Sequence, residues 1–480
     1  MLFVDPLFLI FLLLVLVVYW SLRSNTSRKA LLLLVSFVFY GFWDWRFVGL
    51  LLFSSGFNFL AGAAIDRAAT PRGRRWWLIL AIALNLAILG TFKYLGFFVE
   101  SARDLLSFFG HDMSFAMAHI ILPVGISFFT FHGLSYVIDI YRGKIAPNRS
   151  PLDFFLYMAF FPQLVAGPIV RAAMFMPQLR MLRSVSMRRF KFLIALFLVG
   201  FFKKAIVSDS IAPTIDQVFA SPALFDAHAH ALAVVLYAIQ IYCDFSGYTD
   251  MAIAVAGMLG YRFPQNFAAP YLATSISDFW RRWHMSLSSW LRDYLYIPLG
   301  GNRHGELKTY RNLFLTMGLG GLWHGASWNF LVWGLMHGSA LSVERFWHEH
   351  VATRYRPPND GTTADFGLAH LATTGTKWAL TFGLVCAAWV LFRSHSFADA
   401  AYIIGSILGM ESGGSQTVTA AWWAVIAALW AIHYVNWRRA VVQRMVFIPP
   451  AGVAGVCGVQ AAIIVLLQPQ ITTPFIYFQF

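Results

Sequence analysis

Two histidines stand where an imidazole is costly. His324 lies in Gly320-Gly321-Leu322-Trp323-His324-Gly325-Ala326-Ser327-Trp328-Asn329-Phe330, within a segment apolar enough for a lipid bilayer. His284 lies in Asp278-Phe279-Trp280-Arg281-Arg282-Trp283-His284-Met285-Ser286-Leu287-Ser288. A titratable side chain at membrane depth needs a polar partner or a watery cavity, so its presence there is read as functional. Unperturbed imidazole titrates near pH ~6.5, which suits it to take a proton from a reacting group at physiological pH. Two carboxylates intrude in the same way: Asp244 and Asp250, in Tyr242-Cys243-Asp244-Phe245-Ser246-Gly247-Tyr248-Thr249-Asp250, sit inside the apolar run 231–259. They are too deep for loop carboxylates unless the helix breaks at Gly247, and pairing with arginines is expected. The competing chemistry for Asp244, Asp250, His284 and His324 is a proton or solute pathway. Transporters often carry paired broken helices in related halves. No such pairing and no internal repeat is visible, and the chemistry-bearing residues fall in the central third of the chain.

The elements that hold such residues must be membrane helices. Of 480 residues 59% are hydrophobic and only 12% charged, against about a quarter charged in ordinary soluble domains. The formal net charge of +14 does not point to nucleic acid, because the basic residues cluster in short loops between apolar runs, as in positive-inside topology. At ~20 residues per span, apolar runs are read near 6–22, 30–43, 47–65, 76–98, 116–138, 187–208, 230–258, 312–346, 376–393, 417–436 and 451–468. This predicts an all-α integral membrane protein with about eleven transmembrane helices. The first run has no basic residue before it and no small-x-small site after it, so it reads as a span and not as a signal peptide. Arg23, Arg28 and Lys29 then mark a cytoplasmic flank and place the N-terminus outside; the loop with Arg67, Arg72, Arg74 and Arg75 agrees. Arg180, Arg183, Arg188, Arg189 and Lys191, and later Arg438, Arg439 and Arg444, mark further cytoplasmic loops. The stretch His348 to Thr376 reads as one loop, so residues 1–480 form a single polytopic domain.

Metal chemistry is not expected. Cys243, Cys386 and Cys457 are far apart without CxxC spacing. His228 and His230 flank an alanine with no cysteine or carboxylate at ligand spacing. No Gly-rich phosphate loop is present.

Three pieces, near 100–109, 151–170 and 265–300, do not fit simple spans. In the last, Pro270 breaks the chain, Ser275 and Asp278 are placed like a capping pair, and Phe279, Trp283, Leu287, Trp290 and Tyr294 recur at helical spacing. This predicts one amphipathic helix, ended by Pro298-Leu299-Gly300-Gly301. With Arg281, Arg282, Arg292 and Asp293 on it, the helix belongs at the interface or beside a cavity. Phe161-Pro162-Gln163-Leu164-Val165-Ala166-Gly167-Pro168-Ile169-Val170-Arg171 reads as a bent re-entrant segment. His337 reads as packing or support, and His132 as a second cavity-lining candidate.

Several of these stretches resemble the membrane-bound O-acyltransferase family, in its bacterial branch of alginate O-acetylation and teichoic-acid D-alanylation proteins. The resemblance rests on Phe161 to Arg171, Asp244-Phe245-Ser246-Gly247-Tyr248, Asn266-Phe267 with Pro270-Tyr271, Asp278 to Gly301, and Leu322-Trp323-His324-Gly325-Ala326, with a weaker match at Trp389-Val390-Leu391-Phe392-Arg393. These span roughly residues 120–395, the implied catalytic core. The resemblance implies a funnel-shaped helical bundle with re-entrant or interfacial helices, whose openings meet near His324. It further implies transfer of an acyl group, here acetyl, from a cytoplasmic thioester such as acetyl-CoA toward an exported or cell-wall polysaccharide. His324 carries over as the principal catalytic residue and His284 as the second. D-alanyl transfer to teichoic acid remains the alternative within the family.

Hydroxyl attack on a thioester needs a base, the role given to His324, and donors for the oxyanion. These are sought among His284, the Trp323 or Trp283 indole, and backbone N–H groups around Gly320, Gly321 and Gly325. Arg282, Arg292, Arg303 and Lys308 are the candidates to attract the phosphates of coenzyme A, with Trp283 beside Arg282 as a further donor-binding candidate; the alternative reading of these basic residues is as topological charges. Asp244, Tyr248, Asn266, Trp323 and Ser288 are expected to line the cavity or hold it together. The expected setting is a bacterial inner membrane, with no permanently bound cofactor. The partners would be the acyl donor and a periplasmic acetyltransferase or polysaccharide acceptor.

Overall fold

A computed structural model describes residues 1–111, 120–164, 167–352, 368–439, 448–467 and 476. Arg444, positions 116–119 of one expected span, Val165 and Ala166 of the re-entrant segment, residues 353–367 of the expected loop and Gln468 at the end of the last run lie outside the described residues. Among the described residues the chain is helical throughout, with a single β-bridge joining Phe225 and Gln416. Among the described residues four helices are long and apolar enough to cross a membrane: Arg46–Arg67, Pro71–Phe108, Ala227–Met258 and Ala372–Arg393. Shorter apolar helices run over Pro6–Ser21, Phe397–Ile407 and Ala421–Val435.

Local sequence explains where helices begin. Ser24, Thr70, Ser150, Ser275 and Ser396 each offer a side-chain oxygen to the backbone N–H three residues on, satisfying a donor that the first helical turn leaves open. Pro71 and Pro151 then occupy first-turn positions where a missing N–H costs nothing.

The chain divides into two compact units, residues 1–201 with 248–264, and residues 202–247 with 265–480. In the first, the expected span at 76–98 and the odd piece at 100–109 prove to be one continuous element. Helix Pro71–Leu89 passes through a π-turn at Gly90–Tyr94 into Leu95–Phe108. Asn58 and Asn85 exchange side-chain amide bonds at 2.9 and 3.1 Å between Arg46–Arg67 and Pro71–Leu89, a reciprocal pairing suited to a lipid-embedded interface. Gly133 leaves room for this pair, since a Cβ there would meet Asn58 Nδ2 at 2.6 Å. Arg28 is buried, donating to the carbonyls of Leu22 and Arg183. The short helix Phe161–Leu164 is fully buried, and Gln163 Nε2 donates to the Tyr157 carbonyl.

In the second unit three expectations are corrected. The apolar run 312–346 is not one span but a hairpin of Glu306–His324 and Trp328–Phe346, broken at Gly325-Ala326-Ser327. Helix Leu368–Arg393 begins within the stretch read as loop. The amphipathic stretch is not one helix either: Ile276–Arg282 ends at Trp283, His284 takes a left-handed backbone, and Met285–Leu291 starts afresh before a π-turn at Arg292–Tyr296. The periodicity of its aromatics survives the break, which is why the break is invisible in it.

Candidate functional site

Glycine brings the two helices of the hairpin into backbone contact. A Cβ on Gly321 would lie 2.1 Å from the Phe330 carbonyl oxygen, and one on Gly334 would lie 2.2 Å from that of Met317. These two positions admit only glycine, because a methyl group has nowhere to go. Their close approach sets His324, the last residue of its helix, against Trp333 on the next.

His324 is 3% exposed. Its ring is walled by Trp323 at 5.0 Å, Trp333 at 5.1 Å and Phe392 at 5.6 Å, each near edge-on. Trp323 also lies 6.0 Å from His284, so one indole is in ring contact with both imidazoles. His284 is fully buried, with the Phe245 ring edge-on at 4.6 Å. Its φ of 42° and ψ of 54° are unusual for a residue with a side chain.

Asn266 holds that conformation. Its carbonyl accepts from Met285 N–H at 2.9 Å. Its side-chain Oδ1 accepts from Ser286 N–H at 3.0 Å and Ser286 Oγ at 2.9 Å, and lies 3.2 Å from His284 Nδ1. Trp283 packs among Phe267, Phe279 and Trp389 at 5.1 to 5.6 Å. Among the described residues, neither the Trp283 nor the Trp333 indole N–H has a hydrogen-bond partner, nor has His284 Nε2. Buried polar atoms left in this state are uncommon and mark places where water or a ligand completes the bonding.

The other candidates are placed differently. Ser288 Oγ donates to the Trp283 carbonyl at 3.1 Å and so braces the break. Asp244 is not paired with arginine: Lys204 Nζ lies 2.6 Å from it and 2.7 Å from Asp209, all three buried, and Asp244 Oδ2 also accepts from Ile476 N–H. Helix Ala227–Met258 therefore runs unbroken past Gly247, since an ion pair does at depth what a helix break would otherwise have to do. Tyr248 belongs to the first unit, buried with Phe3 at 5.9 Å. His132 also belongs there, against Tyr157 at 5.5 Å.

The arginines expected to bind phosphate are engaged, Arg282 with Asp278 at 2.9 Å and Arg292 with Asp293 at 2.8 Å. A cleft of about 410 Å³ in the same unit is lined instead by Arg281 and Arg345, with Ser275, Ser277, Tyr296 and Glu344. His230 spends both ring nitrogens, on Ser406 Oγ and the Pro222 carbonyl. Glu306, Glu349 and His350 bring ligand-type atoms within 4.8 Å of one another at the surface, with Glu349 also paired to Arg345.

Sequence reasoning missed Lys204 and Trp333 as parts of this architecture, whereas Phe392 fell within the weaker match at Trp389 to Arg393. The adjacent lysines Lys203 and Lys204 inside the apolar run 187–208 were a visible signal for the first. Trp333 carried no local signal, because only the hairpin turns it toward His324. His337, read as support, fits that role: its Nδ1 accepts from Trp280 Nε1 at 3.3 Å, and its ring lies 4.9 Å from Trp333.

Residues 147–366 match the family model described as MBOAT, membrane-bound O-acyltransferase family. The chain is 42% identical over 403 residues to a Pseudomonas aeruginosa protein named "Probable alginate O-acetylase AlgI", covering 83% of this chain and 73% of that one. It is 35% identical over 415 residues to a Helicobacter pylori protein named "Peptidoglycan O-acetyltransferase", covering 81% and 75%. A "Teichoic acid D-alanyltransferase" of Streptococcus thermophilus is 29% identical over 238 residues, covering 47% and 57%. With extended identity to proteins of this kind, and with the matched region holding both buried imidazoles, the chain belongs to the membrane-bound O-acyltransferase family and is an O-acyltransferase enzyme.

Proposed function

We propose that the protein moves an acetyl group from a cytoplasmic thioester, acetyl-CoA, across the bacterial inner membrane for O-acetylation of an exported or cell-wall polysaccharide, given directly or through a periplasmic acetyltransferase. The N-terminus faces the periplasm in this reading. The observation that carries it is that His324 and His284 are both buried and both in ring contact with Trp323. The greater identity and coverage with proteins named for O-acetylation than with one named for D-alanyl transfer supports acetyl as the group moved.

In this mechanism the acceptor hydroxyl gives its proton to a ring nitrogen of His324 as its oxygen bonds to the thioester carbonyl carbon. The carbonyl electrons move onto oxygen, where indole or backbone N–H groups stabilise them. They return as the carbon–sulfur bond breaks, and His324 gives its proton to the departing sulfur, so that the free thiol leaves and the imidazole is neutral again. At 3% exposure the imidazole meets a bulky acceptor only after the packing around it opens.

The test is transfer of label from acetyl-CoA to a polysaccharide acceptor in proteoliposomes, with and without periplasmic partners. His324→Ala abolishes transfer while the protein still inserts and purifies. Full activity in that variant, or label accepted only from a D-alanyl donor, defeats the proposal.

A further inference from the structure

Asn266 presents one side-chain oxygen to His284 Nδ1, to Ser286 N–H and to Ser286 Oγ, at 3.2, 3.0 and 2.9 Å. The Ser286 backbone N–H is a donor under all conditions, so the amide must keep its oxygen, not its nitrogen, on this side. An oxygen there accepts and cannot donate. The proton of neutral His284 therefore sits on Nδ1, and Nε2 carries the lone pair. Among the described residues Nε2 is buried and has no partner. The backbone fixes where the side chain leaves the chain as well: His284 has a positive φ, and the next residue's N–H is tied to the Asn266 carbonyl at 2.9 Å. The Phe245 ring, edge-on at 4.6 Å, closes another side.

We infer that Asn266 is a positioning residue that fixes His284 as the Nδ1–H tautomer, so that His284 receives a hydrogen bond from the substrate through Nε2 instead of donating one to the oxyanion. This rests on the acyltransfer reading above and divides the labour within it. His284 leaves the set of oxyanion donors; the Trp283 indole N–H stays in it and the Trp333 indole N–H joins it, both without partners among the described residues. The group that meets Nε2 is a hydrogen-bond donor, a hydroxyl of the acceptor or an amide N–H of the thioester's arm. The attacking hydroxyl is not that group if its only proton goes to His324.

The direct test is the ¹⁵N spectrum of histidine-labelled full-length protein in detergent, with His284→Gln used to assign the resonance. The expected result is a protonated Nδ1 and an unprotonated Nε2; a protonated Nε2 in the neutral ring overturns the inference. Because this readout needs no turnover, it stands apart from the His324→Ala result. Kinetics give a second test. Asn266→Ala is expected to lower kcat/KM by roughly 100-fold through loss of orientation. Asn266→Asp keeps every acceptor contact, restores part of that activity, and moves the acid limb of the pH–rate profile upward, because a carboxylate at this position holds the imidazole protonated to higher pH. An Asn266→Asp profile superimposed on the wild-type profile overturns the inference. For His284→Ala, a raised KM for one substrate supports it, whereas a fall in kcat with both KM values unchanged counts against it.

Discussion

At the scale of single residues, Lys204 is the clearest case of a charge whose removal is worse than its presence. One ammonium stands between Asp209 and Asp244, with side-chain exposures of 0% and 2%, within 2.7 Å of each. Two buried carboxylates left without their cation cost about 3 to 5 kcal/mol. Lys204→Met is therefore expected to lower the thermal midpoint in detergent sharply, with activity falling in proportion to folded protein. Ser288→Ala lies at the other extreme. Its hydroxyl makes a bond to the Trp283 carbonyl, worth about 1 kcal/mol, and the variant should keep its midpoint within a few degrees and most of its transfer rate. A midpoint for Lys204→Met as high as that of Ser288→Ala would contradict the first assignment, and one for Ser288→Ala as low as that of Lys204→Met the second.

At the scale of elements, the hairpin Glu306–His324 with Trp328–Phe346 decides where His324 stands. Its helices touch through glycine, so adding one methyl group separates them. Gly321→Ala or Gly334→Ala is expected to cost at least about 1 to 3 kcal/mol, and to reduce transfer beyond the loss of folded protein, because the wall that Trp333 forms moves with the second helix. Gly383→Ala is the control: nothing lies within 4 Å of a Cβ there, and the substitution favours helix by up to about 1 kcal/mol. Thermal unfolding with transfer rates per folded molecule checks the three together. The break at Trp283 and His284 belongs to the same scale. Segment 266–268 pairs with it through Ala268 N–H to the Arg282 carbonyl and Met285 N–H to the Asn266 carbonyl. A run of residues distant in a helical reading thereby replaces the missing helical bonds.

At the scale of the whole molecule, membrane orientation follows from charge. The basic loop at Arg67, Arg72, Arg74 and Arg75 and the flank at Arg23 are expected on the cytoplasmic side. A cysteine at exposed Trp45, in the turn between helices Asn25–Asp44 and Arg46–Arg67, should react with an impermeant thiol reagent added outside intact spheroplasts. One at Arg72 should react only after permeabilisation. The reverse pattern would invert the topology and with it the direction of acyl transfer. Composition and apolar run length were enough to show a helical membrane protein, because a chain in lipid has to satisfy its backbone internally and helices do so locally. His324 stood out in the sequence because an imidazole in an apolar run contrasts with its neighbours, whereas His284 lies beside Arg281 and Arg282 and was marked out by the family resemblance. Three things were decided only by the tertiary structure: that Asp244 answers a lysine and not an arginine, that the run 312–346 folds back on itself, and that Asn266 grips the ring of His284. Each depends on which distant residues meet. Apolar periodicity records how each element turns its own faces, and leaves open which partner will cover them.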